Sequence, residues 1–179
     1  MKILIATGIY PPEIGGPATY SKLLADKLPE HGITIDVLPF RDVRGFPKII
    51  RHIVYFIKVL SRGKDVNIIF AQDTVSVGFP AMLAAKILRK RFFLKVVGDY
   101  AWEQGVQRFG VDDLLDEFSK KQKGYVFLVR ILKRIERMVA ERAEKIIVPS
   151  QYLKQIVMNW GVAERKIHVI YNAFTALQT

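Results

Sequence analysis

The sequence predicts an α/β domain: a doubly wound parallel sheet with helices on both faces. Three observations predict it. Short apolar runs such as KILIAT, NIIF and KIIV alternate with longer segments of helical period, the order of parallel strands and their crossovers. Gly and Pro punctuate the joints between them. The 179 residues, 50% apolar and 25% charged, suit one globular domain, which at this size buries roughly 70% of its unfolded surface.

In chain order, Lys2 to Thr7 is a strand that stops at Gly8. Pro17 to Leu28 places Tyr20, Leu23, Leu24 and Leu28 on one helical face and ends at His31-Gly32. Ile33 to Phe40 alternates through Ile33, Ile35 and Val37 as a strand does. Pro47 to Leu60 is a second helix, closed by Arg62-Gly63. Val66 to Ala71 is a buried strand, Val75 to Leu88 a third helix, and Phe92 to Val97 the next strand. After Val97 the chain reads as a loop. Asp112 to Lys123 and Tyr125 to Ala143 are helices separated at Gly124. Lys145 to Val148 is a strand, Ser150 to Trp160 a helix capped by Ser150, and Ile167 to Tyr171 the final strand.

Composition excludes several classes. Without cysteine there is neither a disulfide scaffold nor a thiolate metal site, which suits a reducing cytoplasm. No window reaches the roughly 18 uncharged apolar residues of a membrane span. The start has no long apolar signal region, because Gly8, Pro11, Pro12 and Glu13 interrupt it. The net charge of +11 implies a negatively charged partner: nucleic acid, anionic lipid or a phosphorylated substrate.

One stretch concentrates backbone specialists: GIYPPEIGGPATYS, directly after the first strand. In doubly wound sheets ligands sit where strand ends lead into helix N-termini. Gly16 is expected at the N-cap and Pro17 at the first helical position. The amides of Ala18 and Thr19, with the helix dipole, would then face an anion, and Gly15 and Gly16 would let a phosphate or sugar approach closely. An ordinary strand-to-helix turn is the alternative. Neither G-x-G-x-x-G nor G-x-x-x-x-G-K-[ST] is present.

The segment KILIATGIYPPEIGGPATYSKLLADKLPEHGITIDVL resembles the amino terminus of a retaining, family 4-type glycosyltransferase of the GT-B fold. IIVPSQYLKQIVMNWGVAERKIHVIYNA resembles the end of the same Rossmann-like N-terminal domain, and the middle fits its strand-and-loop units. The resemblance implies an N-terminal acceptor-side domain over 1–171, with 172–179 entering a linker to a C-terminal donor-binding domain. It implies a UDP- or GDP-sugar donor, a lipid-linked or saccharide acceptor, no obligatory metal or other cofactor, and no turnover by this half alone. A stand-alone nucleotide- or sugar-binding module is the alternative. A nucleic-acid partner is not expected, since no helix-turn-helix, zinc-finger or RNA-binding motif appears.

By the same resemblance Gly15 and Gly16 lie beside the donor diphosphate or the acceptor. Many family members end the strand matching Phe92–Val97 with a histidine; here the residues are Val97-Gly98-Asp99. Asp99 is therefore the candidate catalytic carboxylate, with a turn-capping role as its alternative. Tyr100 and Trp102 could stack on a sugar or belong to the core. Glu103 could orient the acceptor or be solvated. Gln72 and Asp73 occupy the neighbouring loop, where Asp73 or Thr74 could instead cap the next helix.

The cations are clustered. Lys48, Arg51, Lys58 and Arg62 share one stripe of the second helix, with Ile50, Ile53, Val54, Ile57 and Leu60 expected to face the core. Arg130, Lys133, Arg134 and Arg137 oppose an apolar arc on the helix from Tyr125. Basic heads interleaved with apolar residues suit an anionic bilayer. Lys48, Arg51, Lys58, Arg62, Arg130, Arg134 and Arg137 are the expected membrane contacts of a cytoplasmic protein peripheral to the inner leaflet.

Overall fold

Residue alternation along the strands divides the protein into two layers. The computed structural model describes residues 1–121 and 123–172, with the side chains of all but Lys48 and Ile49. Its strands are β1 Lys2–Thr7, β2 Thr34–Pro39, β3 Ile68–Ala71, β4 Arg91–Lys95, β5 Lys145–Val148 and β6 Ile167–Val169. They form one six-stranded sheet, all neighbours parallel, in the order β2-β1-β3-β4-β5-β6. The helices are α1 Gly16–Lys27, α2 Lys48–Gly63, α3 Gly78–Leu88, α4 Tyr100–Phe109, α5 Leu115–Lys120, α6 Phe127–Arg142 and α7 Gln151–Asn159. The expected linker lies, beyond Asn172, outside the described residues.

Register places Leu4, Ile69 and Phe92 on one line, and Ala71 with Leu94, so these residues share a face. That face meets Tyr55 and Val59 of α2, Ala81 of α3, Val139 of α6 and Ile156 of α7 in the main core. Each fully buried Leu or Ile there contributes about 2 kcal/mol of transfer free energy. Ile5, Phe70 and Phe93 point the other way, toward the side where Tyr20 of α1 reaches Lys95. Strand order explains this split. Only α1 connects strands leftward, β1 to β2, so right-handed crossovers place it opposite the other helices.

A second, smaller core lies beside the first. Ala101, Val111, Phe118 and Val129 are its buried members, joining α4, α5 and α6. Here the structure adds an element where a loop is expected. Asp99 Oδ1 accepts from the Trp102 amide at 2.8 Å and starts α4, and Gly110, at φ 65, ends it. The expected helix over Asp112–Lys123 shortens to α5, whereas Ser150 caps α7 as expected, accepting from the Leu153 amide at 3.1 Å.

Candidate functional site

The carboxyl ends of β1, β3 and β4 carry three loops to one rim. The first is the Gly- and Pro-rich bend. Arg41 Nη1 donates to the carbonyls of Tyr10 (3.0 Å) and Pro11 (2.8 Å). Arg44 pairs with Glu13 and donates to the Gly8 carbonyl at 3.2 Å. Two arginines of the turn after β2 thus hold the bend at the rim. Gly15 is the N-cap of α1, not Gly16, and Pro17 takes the second helical position. The Thr19 amide is not free for a ligand, because it donates to Gly15 O at 3.0 Å. The first-turn amides of Gly16 and Ala18 keep the orphan-donor role. Gly16 is exposed, and a Cβ added to it meets no atom within 4 Å. A Cβ on Gly15 would lie 2.6 Å from Ile9 Cδ1, so Gly15 is bare for packing and Gly16 for access.

The second loop follows β3. Asp73 Oδ1 accepts from the amides of Val77 (3.1 Å) and Gly78 (3.5 Å), tying the entry of α3. Burial pushes its pKa up while those amides pull it back. Asp73 also borders the first loop, since a Cβ on Gly8 would lie 3.6 Å from its Oδ2. Gln72 is 2% exposed, and its amide oxygen and nitrogen find no partner among the described residues. Its side chain lies inside the protein, not on the open rim.

The third loop follows β4, where Asp99 takes the capping reading. It is 1% exposed; Oδ1 caps α4 and Oδ2 accepts from Trp160 Nε1 at 3.2 Å. Buried and bonded in this way, its carboxyl faces the protein interior. Sequence reasoning missed its neighbour, Glu136 of α6, also 1% exposed. Glu136 accepts from Thr74 Oγ1 (2.8 Å), the Tyr100 amide (2.8 Å) and the Ala101 amide (3.1 Å). It also meets the Asp99 carboxyl, and burial first, then that neighbour, holds its pKa well above the usual carboxylate range. One side chain thereby locks the loop after β3 to the start of α4.

Tyr100 is half-buried at that junction. Trp102 is half-buried, packs against the second core and donates from Nε1 to Asp113 O at 2.9 Å. Glu103 is exposed, with its carboxyl close to Gly98, where a Cβ would lie 2.6 Å from Oε1. Burial of that end, then the charges of Asp99 and Asp73, push its pKa up. Lys95, 2% exposed, donates to Asn172 Oδ1 at 3.0 Å, and burial pulls its pKa down to about 8. The rim therefore presents a helix N-terminus on one side and the carboxyl of Glu103 on the other. Among the described residues no group of three His, Asp or Glu is placed to hold a metal ion.

The expected membrane contacts divide in two. On α2 the stripe is rotated: Val54 and Leu60 pack against the main core as expected, but Tyr55 and Val59 are fully buried there, while Ile50, Ile53 and Ile57 are about half exposed. Tyr55 turns inward because its hydroxyl donates to Leu38 O at 2.8 Å and its ring packs on Phe40. The cations beside it reach inward too. Arg62 bonds Asp36 Oδ1 and Val37 O, Lys58 the Asp42 carbonyl, and Arg51 lies over the Phe40 ring. The Lys48 side chain lies outside the described residues. On α6, Arg130, Arg134 and Arg137 are exposed. No helix among the described residues is long and apolar enough to cross a membrane.

A doubly wound parallel sheet whose carboxyl rim carries the Gly-rich start of α1 defines the Rossmann-like half of a GT-B fold. Residues 19–175 match Glycosyltransferase Family 4, and the chain belongs to that family. No curated protein sequence matches it. Among solved structures it is similar to Anabaena HepE in complex with UDP (18% identity, TM-score 0.60, 97% of this chain and 44% of that one). It is also similar to the lipopolysaccharide outer core galactosyltransferase WaaB (16%, 0.61, 99% and 47%). The UDP-GlcNAc 2-epimerase of Methanocaldococcus jannaschii shares the fold as well (14%, 0.57, 94% and 45%). The chain spans less than half the length of these proteins.

Proposed function

We propose that the chain is the acceptor-side, N-terminal half of a retaining glycosyltransferase. It moves a sugar from a nucleotide-diphosphate sugar, UDP- or GDP-linked, to a lipid-linked or saccharide acceptor. Membership of the family supports a glycosyltransferase parent, and the UDP of HepE supports a nucleotide-linked donor. The observation that carries the reading is the exposed, unobstructed Gly16 at the start of α1, on the rim where the strands end.

In this reading the first-turn amides of α1 and the helix dipole favour the donor diphosphate. Glu103, whose raised pKa brings it nearer neutrality, meets the acceptor hydroxyl across the rim. Asp99 and Glu136 act as positioning residues that hold α4, and with it Glu103, in place. A second domain, C-terminal to this one, supplies most of the donor site and closes over the rim, so positioning and charge stabilisation dominate and no metal is obligatory. The protein works in the cytoplasm beside an anionic membrane surface, with the exposed α6 arginines toward it.

The test is an assay of the full-length protein with a panel of nucleotide-sugars and lipid extracts, run beside Gly16→Val. Because an added Cβ there meets nothing, the variant melts as the wild type does and transfers sugar more slowly. A folded variant with wild-type rates would remove the bend from the site.

A further inference from the structure

Along α6, with Ser119, Asn159 and Trp160 across from it, runs an open groove of about 600 Å3 that also carries the carboxyls of Glu136 and Glu141, within the size range of small-molecule sites. Arg130, Arg134 and Arg137 line it from one helical face at spacings of four and three residues. Neither the Arg130 nor the Arg134 side chain has a hydrogen bond or ion pair among the described residues, and Arg137 donates to Glu141 at 2.7 Å. The backbone is shaped to seat Arg137: a Cβ on Gly161 would lie 3.1 Å from its Nη2. Apolar surface runs beside the guanidinium groups. Phe127, 71% exposed, and Ile131, 36% exposed, line the groove, and the nearly buried Trp160 forms part of its wall.

We infer that this groove binds one molecule of a phosphate-bearing lipid, its phosphate on Arg130, Arg134 and Arg137 and its chain along Phe127 and Ile131. Three arginines match a phosphate because planar guanidinium groups bind its oxygens in pairs. The apolar side excludes a purely soluble anion as the best fit, since inorganic phosphate would leave Phe127 and Ile131 in water. α6 differs here from α2: Arg51, Lys58 and Arg62 all make contacts within the protein, whereas the Arg130 and Arg134 side chains have no partner among the described residues. The inference rests on the membrane-facing reading of α6, but asks more of it: a saturable site in place of diffuse attraction.

The chain has two tryptophans, and Trp160 lines the groove, so its indole NMR signal reports occupancy. Titration with monomeric dihexanoyl phosphatidic acid shifts that signal saturably at one-to-one stoichiometry. Arg134→Ala weakens binding roughly tenfold, the loss of one charge-assisted contact, and Ile131→Ser also weakens it. Neither variant changes the melting temperature. Sodium phosphate at the same concentrations produces no comparable shift. Sedimentation with vesicles of one-third phosphatidylglycerol runs in parallel. Vesicle binding without a saturable Trp160 shift overturns the groove and leaves the membrane reading standing. Equal affinity for sodium phosphate and phosphatidic acid overturns the lipid chain. No binding to either the lipid or the vesicles overturns both.

Discussion

Glu136 and Asp99 bring two carboxyl groups together inside the protein, and burial with that neighbour raises the pKa of Glu136, which favours its neutral form. Their oxygens accept from the Thr74 hydroxyl, three backbone amides and one indole, so the pair is anchored on both sides. A carboxyl whose pKa is raised on folding binds more protons in the native than in the unfolded state. Stability is then fully present below the ordinary glutamate pKa and falls as pH rises through the native value. Denaturant titrations from pH 5 to pH 9 should show this decline in the wild type. Glu136→Gln keeps the shape and cannot ionise, so the decline should flatten, while overall stability drops because its amide nitrogen replaces an oxygen that accepts from a backbone amide. An unchanged pH slope would mean that Glu136 does not carry the proton. Nothing in Arg134-Ile135-Glu136-Arg137 marks this glutamate as buried, because a charged residue among arginines reads as a solvated face. For Asp99 the sequence offered a turn-capping role as the alternative to a catalytic one, but its partner lies on a distant helix.

At the scale of elements, local pattern located five of the seven described helices closely and misread the orientation of one. α2 carries two competing apolar arcs, one through Ile50, Ile53 and Ile57, the other through Tyr55 and Val59. Periodicity cannot rank them, because it counts apolar residues and not their partners. The structure selects the Tyr55 arc, where a hydroxyl finds a carbonyl and long basic side chains run over the edge to backbone acceptors. Val59→Ala should therefore cost about 2 kcal/mol, the loss of buried methyl groups plus a cavity. Ile53→Ala should stay within about 0.5 kcal/mol, as an exposed substitution does. Urea unfolding of the two variants checks the orientation, and the opposite ranking would restore the isoleucine arc to the core. α4 escaped notice for another reason. The short run between Asp99 and Gly110 is held by the second core and not by a long amphipathic stripe.

The whole molecule is built on two cores of unequal size, and this has a consequence for the rim. The main core runs under the sheet and four of its helices, whereas the second has four buried members gathered between α4, α5 and α6. Fewer buried contacts mean a lower free energy of opening, so the smaller unit should unfold locally before the sheet does. α6 belongs to both: Val129 sits in the small core and Val139 in the large one. Native-state hydrogen exchange in rising denaturant should therefore show α4 and α5 exchanging first, with the N-terminal half of α6. β1, β3, β4 and β5 should persist to the global transition. Breaking the Glu136 lock should separate the two further, because Glu136 is the side chain that bonds Thr74, beside the sheet, to the Tyr100 and Ala101 amides. In Glu136→Ala the α4 amides should lose protection while those of β3 keep theirs. Uniform loss across both units would show a single cooperative body. A selective loss would place Glu103 on the side of the rim that yields most easily, where a segment that must adjust to an acceptor is expected.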